Sequence, residues 1–223
     1  MARVEKVPTS DFNPFYGCFI MIMAVLVFGG IIGWSAWSLF SQDKAIALFA
    51  EDQPRKFEPV ELKPEDRAAL VRRLEEFVSS AKGGQKAQLK LSVEDLNRLL
   101  VLAPDSGYGS YLDMVRFERI DPAKSQVLGR VSLPMNHIKF WEDKKRYLNG
   151  EVGFLVFLHD KGVDVKVVDV NVPGKQVAAG FIDGMGLWTW LSPYQKMEPI
   201  AQHLLLVKKV TLTSEAVVLE SQP

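Results

Sequence analysis

The chain has little of the chemistry from which active sites and metal centres are usually built. Its 223 residues contain one cysteine, Cys18, which excludes an intramolecular disulfide and a zinc site made of cysteines. The three histidines are His137, His159 and His203, and no two of them stand four residues apart, as ligands on one helical face would. A Gly-x-Ser-x-Gly nucleophile motif is also missing. We therefore predict that the protein is not an enzyme and has no catalytic residues, no metal site and no cofactor.

The chain also lacks net charge, because 27 Lys and Arg residues balance 27 Asp and Glu residues. Nucleic-acid-binding proteins normally show a basic excess or a basic patch, so we expect no nucleic-acid partner. Acids gather near His159 at Asp160, Asp164 and Asp169, but their spacing is not that of a calcium loop. We interpret this group as a turn exposed to solvent.

The longest stretch without charged residues is 12–42, which contains no Asp, Glu, Lys, Arg or His. The centre of this stretch, Phe19 to Gly33, is apolar on every helical face. About 20 apolar residues in a helix are enough to cross the hydrocarbon core of a bilayer. A buried core helix is the alternative, but such helices rarely need so long a run without a polar face. We predict a transmembrane anchor over 12–42 behind an N-terminal tail, 1–11.

Bulky aromatic residues end the apolar run, which favours an uncleaved anchor over a cleaved signal peptide. Trp34 and Trp37 would form an aromatic belt at the membrane interface. Gly29 and Gly33 have the Gly-x-x-x-Gly spacing that lets two helices approach closely, so a homodimer through this helix is an alternative to a monomer. We interpret Cys18 as an inert thiol in the membrane, with lipidation as the alternative.

The cations that flank the span bear on its orientation. Arg3 and Lys6 precede it, whereas Lys44, Arg55 and Lys56 follow it at a greater distance. A long C-terminal domain is translocated largely regardless of its charge. We therefore expect the N-terminus in the cytoplasm and the C-terminal domain on the outer, periplasmic or extracytoplasmic, side.

The rest of the chain predicts one soluble α+β domain over 64–223, joined to the span by residues 43–63. The joining segment is predicted to extend the helix and then to form a tether containing Pro54 and Pro59. Pro64 opens a helix, and Ser92-Val-Glu-Asp95 is a capping box that opens a second one. We interpret this second helix as a short core helix, with the wall of a pocket as the alternative.

Residues that alternate in polarity after Tyr111 predict long antiparallel hairpins. We place the turns near Asp121-Pro122, at His159 to Gly162 and at Ser214-Glu215, and we read Asn149-Gly150 as a further turn signal.

The segment Ala178 to Tyr194 is apolar and rich in glycine. It predicts either a helix broken at Gly184 and Gly186 or a loop that folds over the sheet. We expect its large side chains to form a surface for an apolar ligand. These candidate residues are Phe181, Met185, Leu187, Trp188 and Trp190.

Three short features resemble bacterial single-span envelope proteins of unknown function, the YpmS-like group. They are the capping box running into Leu96-Asn97-x-Leu99-Leu100, the stretch Arg146-Tyr147-Leu148-Asn149-Gly150, and a late Leu-Leu-x-Val-x-x-Val segment. More distantly, the chain resembles LmeA-like lipid-binding domains, in which a curled sheet and a helix enclose an apolar groove. The resemblance implies a curled antiparallel sheet of long hairpins packed on two to four helices, and it implies no site residues.

These observations favour a membrane-anchored, non-catalytic binding module of the cell envelope that binds a lipid or another apolar ligand. A structural or assembly subunit of a membrane complex is the alternative, and an enzyme is a third hypothesis. The expected partners are the lipid bilayer and either a lipid ligand or a protein.

Overall fold

A computed structural model of the chain describes residues 14–107, 110–135 and 145–222. Contacts divide the chain into two compact units, Met1–Lys44 and Ala45–Pro223. The predicted tail, 1–11, lies outside the described residues, and so does His137.

The first unit consists of helix α1, Pro14–Phe49, which continues into the second unit for its last turn. The helix is long and apolar enough for a membrane span or a signal sequence, as predicted. Trp34 and Trp37 are exposed, and their ring centroids lie 5.4 Å apart. Apart from the nearby backbone of α1 itself, no described residue lies within 4 Å of the position that a Cβ on Gly29 or Gly33 would take. Dimerisation through this face therefore stays a prediction.

The second unit contains five further α-helices and seven strands among the described residues. The helices are α2 (Pro64–Lys82), α3 (Val93–Leu102), α4 (Tyr111–Met114), α5 (Ala179–Gly186) and α6 (Ile200–Leu205). The strands are β1 (Gln88–Ser92), β2 (Val115–Asp121), β3 (Gln126–Met135), β4 (Arg146–His159), β5 (Gly162–Asn171), β6 (Lys209–Leu212) and β7 (Ala216–Glu220).

The strands form two antiparallel sheets, with the orders β1-β7-β6 and β2-β3-β4-β5. The predicted α+β class and the three hairpins β2–β3, β4–β5 and β6–β7 are confirmed. The prediction of one curled sheet is wrong, because β1 pairs with β7 and makes the terminal hairpin part of a separate sheet, and neither sheet is curled. The number of helices exceeds the two to four expected, since α4 and the glycine-rich α5 are also helical.

The turn predicted at Asn149-Gly150 is wrong, because both residues lie within β4, where Gly150 pairs with Val131. A Cβ on Gly150 would lie 2.7 Å from the carbonyl oxygen of Asn171 on β5. The glycine therefore allows a close approach of two strands rather than a turn.

The first part of the joining segment, residues 43–63, packs on the four-stranded sheet. The side chain of Phe49 is fully buried. Glu51 and Tyr147 exchange two backbone hydrogen bonds of 2.9 and 2.7 Å. The buried Asn149 donates from Nδ2 to Glu51 Oε2 at 2.7 Å and to the Gln53 carbonyl at 2.9 Å. The second compact unit begins at Ala45 and thus includes residues 45–63 of this segment.

Replacing Phe49 with alanine tests this docking. We expect Phe49→Ala to lower the free energy of unfolding by about 3–5 kcal/mol, because it removes a fully buried aromatic side chain. The neighbouring Leu48 is 75% exposed, so Leu48→Ala should change it by less than about 0.5 kcal/mol. Urea unfolding of the full chain in mild detergent, followed by near-UV circular dichroism, measures both. Equal effects of the two substitutions would show that Phe49 is not part of the core.

Candidate functional site

An apolar cavity of about 460 Å³ lies between the two sheets and the helices α2, α3 and α6. Its walls include Phe77 of α2, Leu99 of α3, Val156 of β4, Leu204 of α6 and Leu219 of β7. Ligand pockets in proteins commonly measure about 300–1,000 Å³ and are lined mainly by apolar side chains. The cavity therefore has the size and lining of a site for an apolar small molecule.

Regular spacing in the sequence places these walls. In α2, Leu70, Leu74 and Phe77 recur at helical intervals, so they lie on one face; Leu70 and Phe77 are buried, and Leu74 and Phe77 reach the cavity. The strands contribute alternate residues, such as Val163 and Val165 of β5, because side chains two apart share a face. The walls thus come from the same patterns that specify the core.

Two side chains bring polar atoms to the cavity, namely Tyr194 and His203. The hydroxyl of Tyr194 donates a hydrogen bond of 3.0 Å to the carbonyl of Pro104. Burial raises the pKa of Tyr194 to about 12, with smaller contributions from Tyr111 and Asp105, so this group stays neutral. His203 is partly exposed, which leaves its imidazole able to bond to a polar group at the rim.

The cavity reaches the surface at the end of α3, where Ala103 and Pro104 are exposed. Both residues line the cavity, although neither belongs to the buried core. A ligand therefore has an entrance that does not require the core to open.

Helix α3 forms one wall, and two sets of hydrogen bonds fix its first turn. The predicted capping box is confirmed: Ser92 Oγ accepts from the Asp95 N–H, and Asp95 Oδ2 accepts from the Ser92 N–H, each at 3.1 Å. Arg73 of α2 then donates to the same carboxylate from Nη2 at 2.6 Å and from Nη1 at 3.2 Å. This bidentate contact joins two walls of the cavity through a carboxylate that is 8% exposed.

The pKa of the Asp95 carboxyl is lowered. Burial alone would raise this pKa, but the hydrogen bonds from Arg73 and Ser92 and the positive charge of Arg73 outweigh burial. The contact with Arg73 therefore stabilises the fold when the carboxyl is ionised.

A buried carboxylate holds the segment that carries Tyr194. Asp164, at the start of β5, is 1% exposed and accepts a hydrogen bond of 3.0 Å from the Leu191 N–H. It also accepts from Gln195 Nε2 at 2.9 Å and lies 3.3 Å from His159 Nε2. The prediction that these acids form a turn exposed to solvent is therefore wrong for Asp164, whereas Asp160 is exposed. Among the described residues no group of three or more His, Cys, Asp or Glu side chains is arranged to hold a metal.

The five residues predicted to form an apolar ligand surface do not line the cavity. Phe181, Met185 and Trp190 are partly buried and pack against the core. Trp190 stacks edge-on against Phe154, with ring centroids 5.3 Å apart. Leu187 and Trp188 are instead 84% and 65% exposed.

A second cleft, of about 500 Å³, lies between residues 56–61 and the elements α3, β2 and β3. Its central cation, Arg116, donates hydrogen bonds to the carbonyls of Glu58, Leu112 and Val115. The guanidinium also lies over the ring of Phe57, 5.3 Å from its centroid. Arg116 therefore has a structural role in this cleft, because its contacts hold residues 56–61 on the domain. For this reason we favour the apolar cavity as the functional site.

The sequence favoured a short core helix for α3 over a pocket wall, and the other residues that line the cavity were assigned to the core. One signal is the breadth of the apolar face of α3, in which six of ten residues are apolar, among them Leu96, Leu99 and Leu100. A helix packed on a single neighbour needs a narrower stripe.

Substitution of Asp95 gives a prediction about pH. Because the folded-state pKa is lowered, the contribution of the ionised carboxyl is present above the unfolded-state pKa of about 3.9 and is lost as the pH falls through the folded-state pKa. We expect Asp95→Asn to lower the free energy of unfolding at pH 7 by about 1–2 kcal/mol, since Arg73 is 39% exposed and the contact is partly screened. Below about pH 4 the difference from the unsubstituted protein should shrink.

Urea titrations at several pH values measure this difference. Asp160→Asn, at an exposed turn, is the matched control and should have little effect at any pH. A deficit for Asp95→Asn that stays constant down to acid pH would contradict an ionic role.

Comparison with known proteins adds no relative. The chain matches no family model, no curated protein and no solved structure. The interpretation of the site therefore depends on its geometry and chemistry.

Proposed function

We propose that this protein is a membrane-anchored, non-catalytic module that holds one acyl chain of a lipid in the apolar cavity. The anchor is α1, with its N-terminus in the cytoplasm and the folded unit on the outer side.

The observation that carries the proposal is the chemical uniformity of the cavity wall. Side chains from both sheets and three helices line it, and among those side chains only Tyr194 and His203 have polar atoms. A site for a sugar, nucleotide or peptide would need several hydrogen-bonding groups to replace those of water. An acyl chain needs none along most of its length.

The energetics also suit an acyl chain. Transfer of a methylene group from water to an apolar site gains about 0.8 kcal/mol, so a chain of ten methylenes gains about 8 kcal/mol. Transfer from the bilayer to the cavity gains much less, since both environments are apolar. The cavity would therefore shield a lipid chain from water and yet return it to a membrane.

The polar groups of the cavity suit the other end of such a ligand. Tyr194 is committed to the carbonyl of Pro104, whereas His203 of α6 is free of that constraint. A carboxylate or phosphate head near His203 would accept a hydrogen bond from the imidazole. The chain would then extend between the sheets.

Photo-crosslinking tests the proposal in the full chain reconstituted in nanodiscs. A palmitic acid that carries a diazirine near the end of its chain is activated by light, and the labelled peptides are mapped by mass spectrometry. We expect adducts on the cavity walls, in peptides from α3, β5 and α6, as well as on α1. Adducts on α1 alone would overturn the proposal.

Two matched tryptophan variants sharpen the test. Ala103→Trp narrows the entrance without filling the core, because Ala103 is exposed, and should reduce cavity adducts several-fold. Ala123→Trp makes the same change in the exposed turn between β2 and β3 and should leave them unchanged. Adducts on α1 serve as the internal standard in both variants. Cavity labelling that is insensitive to Ala103→Trp would contradict the assigned entrance.

A further inference from the structure

We infer that residues 196–206, which include α6, form a lid that opens to admit the acyl chain to the apolar cavity and then closes over it. This inference rests on the proposed function, because it concerns how the same cavity is filled.

Hydrogen bonds fix the chain immediately before and after the lid. Before it, Gln195 donates from Nε2 to the buried carboxylate of Asp164 at 2.9 Å. After it, the Lys208 N–H donates to the Glu220 carbonyl at 2.7 Å. The side chain of Val207, between the lid and Lys208, is buried. The lid is thus held to β5 at one end and to β7 at the other.

Between these two ends the lid bonds only to its own neighbourhood. In the described part of the chain, its hydrogen bonds all run to residues between 193 and 207. The Ala201 N–H donates to the Met197 carbonyl at 2.9 Å, and the His203 N–H donates to the Pro199 carbonyl at 3.3 Å. None of the side chains of the lid is buried. Segments with few buried side chains open locally at a small cost in free energy.

The inner side of the lid lines the cavity. Ile200, His203 and Leu204 all reach it, at the intervals of three and four residues that place side chains on one face of a helix. The facing helices α2 and α3 are joined to each other by the contact of Arg73 with Asp95, whereas no hydrogen bond joins the lid to either helix among the described residues. Movement of the lid would therefore open the cavity without disturbing the other walls.

One close contact holds the lid in the closed position. Gly162, in the turn between β4 and β5, has a φ of +97°, and a Cβ there would overlap the carbonyl oxygen of Leu204 and lie 2.9 Å from the Leu205 nitrogen. Only a glycine lets the turn lie against the lid in this way. The turn itself is fixed by the pairing of Gly162 with His159. A larger residue at 162 would therefore displace the lid and not the turn.

Hydrogen exchange of the full chain in nanodiscs tests the inference. We expect the amides of residues 200–206 to exchange many times faster than those of β3 and β4, because the lid opens locally. The diazirine-bearing palmitic acid should slow this exchange several-fold, since a bound chain contacts the closed lid and stabilises it. Ala103→Trp, which narrows the entrance, should remove most of that slowing.

Two glycine variants test the contact that closes the lid. We expect Gly162→Ala to speed both the exchange of the lid amides and the formation of cavity adducts several-fold, because the added methyl group displaces Leu204. Gly174→Ala is the matched control. Its φ of +70° brings similar backbone strain, but apart from its chain neighbours no described residue lies within 4 Å of the Cβ position. It should leave both rates unchanged.

The results distinguish failure of the lid from failure of the proposed function. Cavity adducts combined with lid amides that exchange as slowly as those of β3 and β4 would overturn the lid and leave the lipid site intact. Equal effects of the two glycine variants would overturn it as well. If Gly162→Ala does not fold, the exchange of the unsubstituted protein with and without palmitic acid decides the question. Fast exchange of the lid without cavity adducts in any variant would instead refute the proposed function, and with it the role of the lid.

Discussion

The burial of Phe49 and the backbone pairing of Glu51 with Tyr147 are the contacts that make the start of the second unit part of its fold. They fix the last turn of α1 to the four-stranded sheet, where Asn149 adds two hydrogen bonds to the same segment. Because Phe49 also contacts Phe181, α5 is held next to the point where α1 ends. Residues 45–53 are therefore part of the folded unit and not a flexible tether.

Elements that depend on local signals could be predicted from the sequence. Pro64 with its following acids starts α2, and the Ser92–Asp95 box starts α3, because both act through bonds within one turn of helix. The hairpins β2–β3 and β4–β5 were predictable for a similar reason, since alternation and a nearby turn specify neighbouring strands. The charge-free stretch of α1 needed only length and composition.

Features that depend on distant partners could not be predicted. Strand β1 pairs with β7 across more than 120 residues of chain, and nothing in Gln88–Ser92 identifies that partner. Asn149-Gly150 has the chemistry of a turn, but the approach of Asn171 makes the glycine necessary within a strand. In the same way, the prolines after Glu51 suggested a free tether, because the sequence does not show that Asn149 offers its side chain to that segment.

The cavity could not be predicted from the sequence for a similar reason. A leucine that packs tightly and a leucine that faces a cavity occur in the same hydrophobic pattern. They differ only in whether side chains of the facing sheet or helix contact them. Two separate sheets meet here across the short helix α3. Leu96 and Val156 pack against two groups of buried residues, one that includes Val131 and one that includes Leu89. A single curled sheet would also have enclosed an apolar groove, but along one concave face. In this protein the apolar space is instead shared by two sheets, so access to it is set by the end of α3 at Ala103 and by the position of α6.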